Sequence, residues 1–305
     1  MIEIETVNSQ FILSMLIIIL GYGMKQIGLL KEKDKETLSR IVFNITLPAI
    51  VLKSMSVNMD LTILFMTFLG FGFGAMMTII AIILGKNKGR EEKGIYAITI
   101  PGFNIGLFAY PLVQAIWGLS GMIYIIMFDV GNAFIVFGSS YFLAKYYKDE
   151  DAKFSIGFLA KILGKSVPFM SYMIGVAMSL SGLRFPSMAT SVIDVLAGAN
   201  MPLALLLLGI VIQLRIESKD LRTVGKVILT RYTVGALFGV LLYLVLPYNP
   251  VLSPMFLIMF VLPISMSSLP YSVQFNYDVN LVGTANNMTI ILSFFIIWAI
   301  SAFSF

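Results

Sequence analysis

One acid stands inside a long apolar stretch of the chain. Asp129 lies in Phe128-Asp129-Val130-Gly131-Asn132, about eleven residues into the apolar run 118–144. A carboxylate in apolar surroundings must be protonated, paired or hydrated, and such residues commonly serve proton or ion relays. The same run contains no Lys or Arg that could pair with it. Asp129 and the nearby Asn132 are therefore candidates for coupling to a proton or another cation. A neutral structural hydrogen bond is the alternative.

Two further apolar runs carry prolines and small or polar residues near their middles. They read IPGFNIGLFAYP over 100–111 and LPISMSSLPY over 262–271. Proline removes a backbone donor and displaces a carbonyl, and glycine permits unwinding. We predict that both runs are broken helices, whose N-terminal ends can direct partial positive charge at an anion if the runs cross. The alternative is that these prolines only kink packed helices. The candidate binding residues in these runs are Asn104, Pro101, Gly102, Pro111, Pro263, Ser267 and Pro270.

Two asparagines beside other prolines complete the candidate site. Asn44 precedes Pro48, and Asn200 precedes Pro202. Each can line the same region as the broken runs or form a helix–helix hydrogen bond.

The elements that position these residues are membrane-spanning helices. Hydrophobic residues make up 58% of the 305 residues and charged residues 12%, against about 45–50% and about 25% in soluble domains. Repeated apolar runs are each long enough to cross about 30 Å of hydrocarbon as a helix. We predict an all-α membrane protein with ten spans at 8–25, 38–54, 61–84, 94–116, 118–144, 166–182, 189–213, 225–246, 251–275 and 279–303.

The absence of cysteine and histidine narrows the chemistry further. Without these residues the chain has no disulfides, no thiolate metal site and no imidazole proton shuttle. We therefore predict no metal site, no cofactor and no catalytic residues.

The basic residues cluster on one side of the predicted membrane. Nineteen lie on that side and two, Lys53 and Arg184, on the other, which places the nineteen in the cytoplasm and both termini outside. This bias also explains the net charge of +5 without a nucleic-acid partner. The nineteen are Lys25, Lys31, Lys33, Lys35, Arg40, Lys86, Lys88, Arg90, Lys93, Lys145, Lys148, Lys153, Lys161, Lys165, Arg215, Lys219, Arg222, Lys226 and Arg231.

The chain contains a weak internal repeat. A shift of 154 residues aligns Gly21 with Gly175, Gly28-Leu29 with Gly182-Leu183, Pro48 with Pro202 and Asn132 with Asn286. We predict a five-helix repeat over 1–144, an amphipathic cytoplasmic linker over 145–165 and a second repeat over 166–305. Because five is odd, the second repeat enters the membrane inverted, an arrangement that suits alternating access to a site near the midplane.

These features together resemble the auxin efflux carrier family, over essentially all 305 residues. The resemblance rests on Leu47-Pro48-Ala49, on the stretch from Asn104 to Pro111, and on Phe128-Asp129-Val130-Gly131-Asn132. It implies a scaffold built from spans one, two, six and seven, and a transport domain built from spans three to five and eight to ten. It also implies a carboxylate substrate where spans four and nine cross, in a prokaryotic cytoplasmic membrane. Span nine departs from the family pattern, since Ser265-Met266-Ser267-Ser268 precedes Pro270.

We therefore predict a secondary active transporter of a small carboxylate, embedded in the lipid bilayer and coupled to protons or sodium. A sodium-coupled symporter of the bile-acid type is the nearest alternative, and a homodimer stays open. An intramembrane enzyme is disfavoured because the Gly-x-Ser-Gly motif at 118–121 lacks any histidine as base. A passive channel is the third class, and saturable counterflow would distinguish a carrier from it.

Overall fold

The protein is helical throughout the part of the chain that the structure describes. A computed structural model describes residues 4–55, 60–149, 151–213 and 220–304. Within these ranges there is no strand, and the β-structure amounts to an isolated antiparallel bridge between Phe103 and Ile264. The predicted all-α class is confirmed.

The described part of the first half contains seven α-helices and three π-helical turns. The turns Val42–Thr46 and Ile135–Ser140 each join two α-helices without a loop, and Ile105–Ala109 leads directly into the helix that follows it. The helices are α1 (Ile4–Gln26), α2 (Glu32–Ile41), α3 (Leu47–Ser54), α4 (Leu61–Gly85), α5 (Arg90–Thr99), α6 (Tyr110–Phe134) and α7 (Tyr141–Lys148).

The second half begins with a helix in the predicted linker. The helices are α8 (Ile156–Lys165), α9 (Val167–Ser181), α10 (Ser187–Gly198), α11 (Asn200–Val211), α12 (Leu221–Val245), α13 (Leu252–Met259), α14 (Ser268–Gln274) and α15 (Val279–Ser304).

Several of these helices are long and apolar enough to cross a membrane. Among the described residues the stretches that qualify are Leu61–Gly85, Ile105–Lys148, Ser187–Val211, Leu221–Val245 and Val279–Ala302. The longest stretch, Ile105–Lys148, is kinked at Gly118 (φ 58°, ψ −145°). This kink lies between the runs predicted as spans four and five. Large apolar side chains also face outward, including Phe68, which is 72% exposed. Such a surface fits hydrocarbon rather than water. The ten-span inverted repeat and the division into domains stay predictions.

Glycines allow two helix pairs to pack with their backbones in contact. A Cβ atom on Gly21 would overlap the carbonyl of Leu206, and one on Gly209 would overlap that of Ile18, so α1 and α11 need both glycines. Gly70 and Gly131 make the same close approach between α4 and α6. Small residues at helix contacts are a usual way to pack helices in membranes. The second pair fixes the part of α6 that carries Asp129.

The predicted distribution of positive charge needs one correction. Arg231 lies inside α12 with 2% of its surface exposed, not in a cytoplasmic loop. Burying a guanidinium costs less when its donors find acceptors, and carbonyl oxygens here accept from both terminal nitrogens, while Nε has no partner among the described residues. The charge bias therefore rests on the other eighteen basic residues predicted on the cytoplasmic side. Two of them, Arg215 and Lys219, lie outside the described residues.

Candidate functional site

Each of the two proline-containing runs is interrupted where the sequence predicts a break. Helix α5 ends at Thr99 and the next helical turn begins at Ile105, while α13 ends at Met259 and α14 begins at Ser268. The two non-helical segments lie against each other. Phe103 forms the antiparallel bridge with Ile264, and the Asn104 N–H donates to the Pro263 carbonyl at 3.0 Å. The broken runs therefore cross, and their backbones are joined at the crossing.

Asn132 satisfies the backbone of the first break. Its Oδ1 accepts from the Phe103 N–H at 2.9 Å, and its Nδ2 donates to the Phe103 carbonyl at 3.1 Å. The side-chain amide thus pairs with Phe103 as a second peptide group would. Its Nδ2 also donates to Asp129 Oδ1 at 3.0 Å, because residues three apart share one helix face. This one asparagine links the break to the buried acid.

Polar residues of α15 satisfy the second break. The Ile264 N–H donates to Thr289 Oγ1 at 3.2 Å, and Ser293 Oγ donates to the Val261 carbonyl at 2.6 Å. Asn286, the residue that the repeat aligns with Asn132, donates to Ser268 Oγ at 2.5 Å. In both halves, side chains therefore form hydrogen bonds with the backbone groups of the break, but through different contacts.

Asp129 is buried and makes hydrogen bonds through both oxygens. Tyr110 and Tyr172 donate to Oδ2 at 3.0 and 2.8 Å, and Asn132 donates to Oδ1. The two tyrosine hydroxyls are 3.1 Å apart. Tyr110 and Asp129 belong to α6, whereas Tyr172 belongs to α9. The acid is thus held by neutral donors from two helices, and hydrogen bonds to a carboxylate favour its charged form.

A cavity of about 320 Å³ lies beside the crossing. Five of the predicted site residues line it: Asn44, Asn104, Asp129, Asn132 and Ser267. Asn104 is 4% exposed, and its Nδ2 is buried without a hydrogen-bond partner among the described residues. One residue of the cavity wall therefore carries a buried donor without a partner.

The other predicted site residues shape the region without lining the cavity. Pro263 accepts the hydrogen bond from Asn104, and Gly102 has φ +74°, a conformation that side chains disfavour. Pro101, Pro111 and Pro270 are likewise absent from the cavity wall. Asn200 accepts a 3.1 Å hydrogen bond from Thr46. This contact corresponds to the alternative of a helix–helix hydrogen bond.

Arg231 ties the two breaks together from the side of α12. Its Nη1 donates to the carbonyls of Thr99, Ile100 and Gly102 at 3.0, 2.5 and 3.0 Å, and its Nη2 donates to the Leu262 carbonyl at 3.0 Å. The guanidinium carbon also lies 4.8 Å from the centre of the Phe103 ring. One cation therefore satisfies carbonyls freed in both broken segments.

A family model described as "Membrane transport protein" matches residues 9–301. The chain belongs to this family. The resemblance to the auxin efflux carrier family is thereby confirmed, and the family indicates an integral membrane transporter rather than an enzyme. An uncharacterized transporter of Methanothermobacter thermautotrophicus is 24% identical over 296 residues, covering 94% of this chain and 95% of the relative. An uncharacterized transporter of Methanocaldococcus jannaschii is 25% identical over 208 residues, covering 64% and 66%.

Sequence reasoning missed several residues of this transporter's site. Tyr110 and Tyr172 contact Asp129 from 19 and 43 positions away, so no local pattern reveals them. Lys165, predicted as a linker residue, lines the cavity together with Ser166. The sequence analysis places Arg231 with the cytoplasmic basic residues because other basic residues precede it in the chain. Its apolar neighbours in the run 225–246 were the signal that could have identified it as buried.

Proposed function

We propose that the chain is a secondary active transporter of a small organic anion, a carboxylate, which binds at the crossing of the two broken helices. The observation that carries the proposal is the Asn104 amide, buried without a partner in the cavity wall. Leaving a donor buried and unpaired costs about 1–3 kcal/mol. A carboxylate oxygen supplies the missing acceptor, and the bound anion would remove this cost.

The backbone beside Asn104 favours the same ligand. The helical segment that begins at Ile105 continues into α6, and its first residues, Ile105 and Gly106, line the cavity. The N-terminal end of such a segment carries partial positive charge and free N–H groups. Helix α14 has only seven residues, so from the second break we assign polar side chains, Ser265 and Ser267, rather than a helix dipole.

Alternating access is the mechanism we propose, from the order in which α8 and α9 contribute residues to the cavity wall. Lys165 and Ser166 stand at one end, on the side that the charge bias makes cytoplasmic. Farther along α9, Tyr172 donates to Asp129 and joins α9 to α6. In the proposed division α9 belongs to the scaffold and α6 to the transport domain. We therefore take this arrangement as inward-facing, with the Tyr172–Asp129 bond closing the outer end.

Asp129 is the residue proposed to couple transport to protons. The two phenol hydrogens can both point at Oδ2 while the acid is ionised. When Asp129 gains a proton, one hydroxyl can turn to the other across their 3.1 Å separation. A bond between the two hydroxyls still joins α9 to α6, but it lacks the charged acceptor that ionised Asp129 supplies, so protonation would weaken the contact between the helices. A sodium requirement would instead favour the bile-acid-symporter type of mechanism.

A thermal-shift panel on purified protein tests the proposed substrate class. The panel contains acetate, malonate, malate and phenylacetate, with malonamide and phenylacetamide as uncharged counterparts. A ligand that binds only the folded state adds about 2.7 kcal/mol of stability at a hundred times its Kd. We expect at least one carboxylate, and not its amide, to raise Tm. Equal shifts for acid and amide, or no shift with any carboxylate, would refute the substrate class.

A further inference from the structure

Arg231 brings a fixed positive charge into the core of the protein. Arginine remains protonated in proteins, and this side chain is 2% exposed. Its hydrogen-bond acceptors among the described residues are carbonyl oxygens, two of them, Thr99 and Ile100, at the C-terminal end of α5. These carbonyls accept from both terminal nitrogens, Nε has no partner among the described residues, and the carbonyls carry no net charge. The positive charge is therefore solvated by the protein without being neutralised by a contacting carboxylate.

The charge lies behind one wall of the cavity. Phe103 lines the cavity, and the Arg231 guanidinium carbon is 4.8 Å from its ring centre. The aromatic ring separates Arg231 from a ligand, so the two cannot form a direct hydrogen bond through it. The electrostatic effect still reaches the cavity, because charges act over longer distances in a poorly screened interior.

Arg231 also removes an unfavourable charge from the crossing. The last carbonyls of α5 carry the negative end of its dipole, and they point at the guanidinium. The helical segment on the other side of the same break begins at Ile105 and borders the cavity. The negative end is thus compensated within the protein, while the positive end is left to act on a ligand.

We infer that Arg231 is a specificity-determining residue that makes the cavity favour anions without touching them. The charged side chains in the described cavity wall are Asp129 and Lys165, so Arg231 brings the local set to two cations and one acid. One bound monoanion then brings the net charge of these three side chains and the ligand to zero. The inference rests on the proposed function in taking this cavity as the substrate site. The sign of the cavity potential, however, can be measured without knowing the substrate.

The absence of native cysteine makes a direct measurement of this potential feasible. Ser267→Cys places one reactive thiol in the cavity wall. Its reaction rates with a negatively charged sulfonatoethyl methanethiosulfonate and a positively charged trimethylammonium-ethyl methanethiosulfonate give a rate ratio. Because both reagents must reach the same thiol, their ratio reports charge rather than accessibility. Ser155→Cys, exposed directly before α8 in the predicted cytoplasmic linker, gives the reference ratio.

We expect the anion-to-cation rate ratio at Ser267→Cys to exceed the Ser155→Cys reference. Adding Arg231→Met should lower the ratio by roughly tenfold, because a unit charge acts strongly on charged reagents in a weakly screened cavity. Arg231→Lys should keep most of the ratio, because it keeps the charge while losing the fork of donors. If Arg231 has only a structural role, the Lys and Met variants should change the rate ratio equally.

Two results would overturn the inference. One is an unchanged ratio in an Arg231→Met protein that elutes as a folded species. The other needs no variant at Arg231: a ratio at Ser267→Cys no higher than the reference means that the cavity does not favour anions. A high ratio combined with a failed carboxylate panel would count against the proposed substrate class and leave the role of Arg231 intact.

Discussion

Tyr172 of α9 donates a 2.8 Å hydrogen bond to Asp129 of α6, so a buried acid joins helices from the two halves of the chain. Asn132 extends this link to Phe103 at the first break. A change in the charge of Asp129 can therefore reach both the helix contact and the crossing.

Replacing Asn104 tests the unused donor. Asn104→Ala should weaken binding of the carboxylate identified by the panel by about ten- to a hundredfold, since a hydrogen bond to a charged ligand is worth about 1.5–3 kcal/mol. Asn200→Ala is the matched control, because Asn200 is equally buried and also has an unpartnered Nδ2 but lies outside the cavity. Titration by thermal shift gives both affinities. Equal losses in the two variants would remove Asn104 from the site.

Replacing Asp129 separates proton coupling from structural hydrogen bonding. Asp129→Asn cannot gain or release a proton, so exchange of substrate for substrate should continue while accumulation driven by a pH gradient fails. Both fluxes are measured in proteoliposomes. If Asp129 serves only as a hydrogen-bond partner, the variant keeps its pH-driven flux, and that result would end the coupling hypothesis. Sodium is varied in the same assay to identify a sodium-coupled mechanism.

Removing one tyrosine hydroxyl tests the link between α9 and α6. Tyr172→Phe deletes the contacts of this hydroxyl with Asp129 and with Tyr110, both of which join α9 to α6. Tyr110→Phe deletes the Tyr110–Tyr172 contact and a bond within α6, and it keeps the Tyr172–Asp129 bond. Each change should lower stability by about 1 kcal/mol. Tyr172→Phe should change the rate of substrate exchange more than Tyr110→Phe, because it alone removes the bond from α9 to the acid. The same exchange rate in both variants would show that the bond is no gate.

Adding one methyl group tests the close contact that fixes α6. Gly131→Ala should destabilise the protein by about 1–3 kcal/mol, since the new Cβ would overlap the Thr67 carbonyl of α4. Gly72→Ala is the control on α4 itself, because a Cβ there meets nothing within 4 Å. Thermal unfolding compares the two. A Gly131→Ala protein as stable as Gly72→Ala would mean that the helices are not packed this closely.

The orientation in the membrane follows from the corrected charge bias and is open to labelling. Single cysteines at Ser9 and Ser304 should react with a membrane-impermeant reagent in intact cells, while one at Lys33 should react only after lysis. The positive-inside rule gives this expectation. Protection of both terminal cysteines in intact cells would invert the proposed topology.

The sequence predicted the local features of this site and missed the distant ones. Pro101, Gly102 and Pro263 predict broken helices because each residue changes the conformation or hydrogen bonding of its own backbone. Asp129 is conspicuous because it is an acid in an apolar run. Tyr172 and Arg231 could not be assigned this way, since their roles depend on contacts with helices far along the chain.

The asparagines illustrate the same limit. Residue type and a neighbouring proline did not distinguish Asn44, which lines the cavity, from Asn200, which bonds to Thr46. Only the packing of their helices separates the two cases.

The most direct test of the central claim is protection of a cavity thiol by ligand. The carboxylate that raises Tm most is added at increasing concentration while Ser267→Cys reacts with a methanethiosulfonate, and Ser155→Cys serves as control. If the anion binds at the crossing, it should slow the reaction at Ser267→Cys with a half-maximal concentration equal to the Kd that thermal shift gives for that variant, and leave Ser155→Cys unaffected. An unchanged rate at Ser267→Cys under saturating carboxylate would contradict a binding site in this cavity.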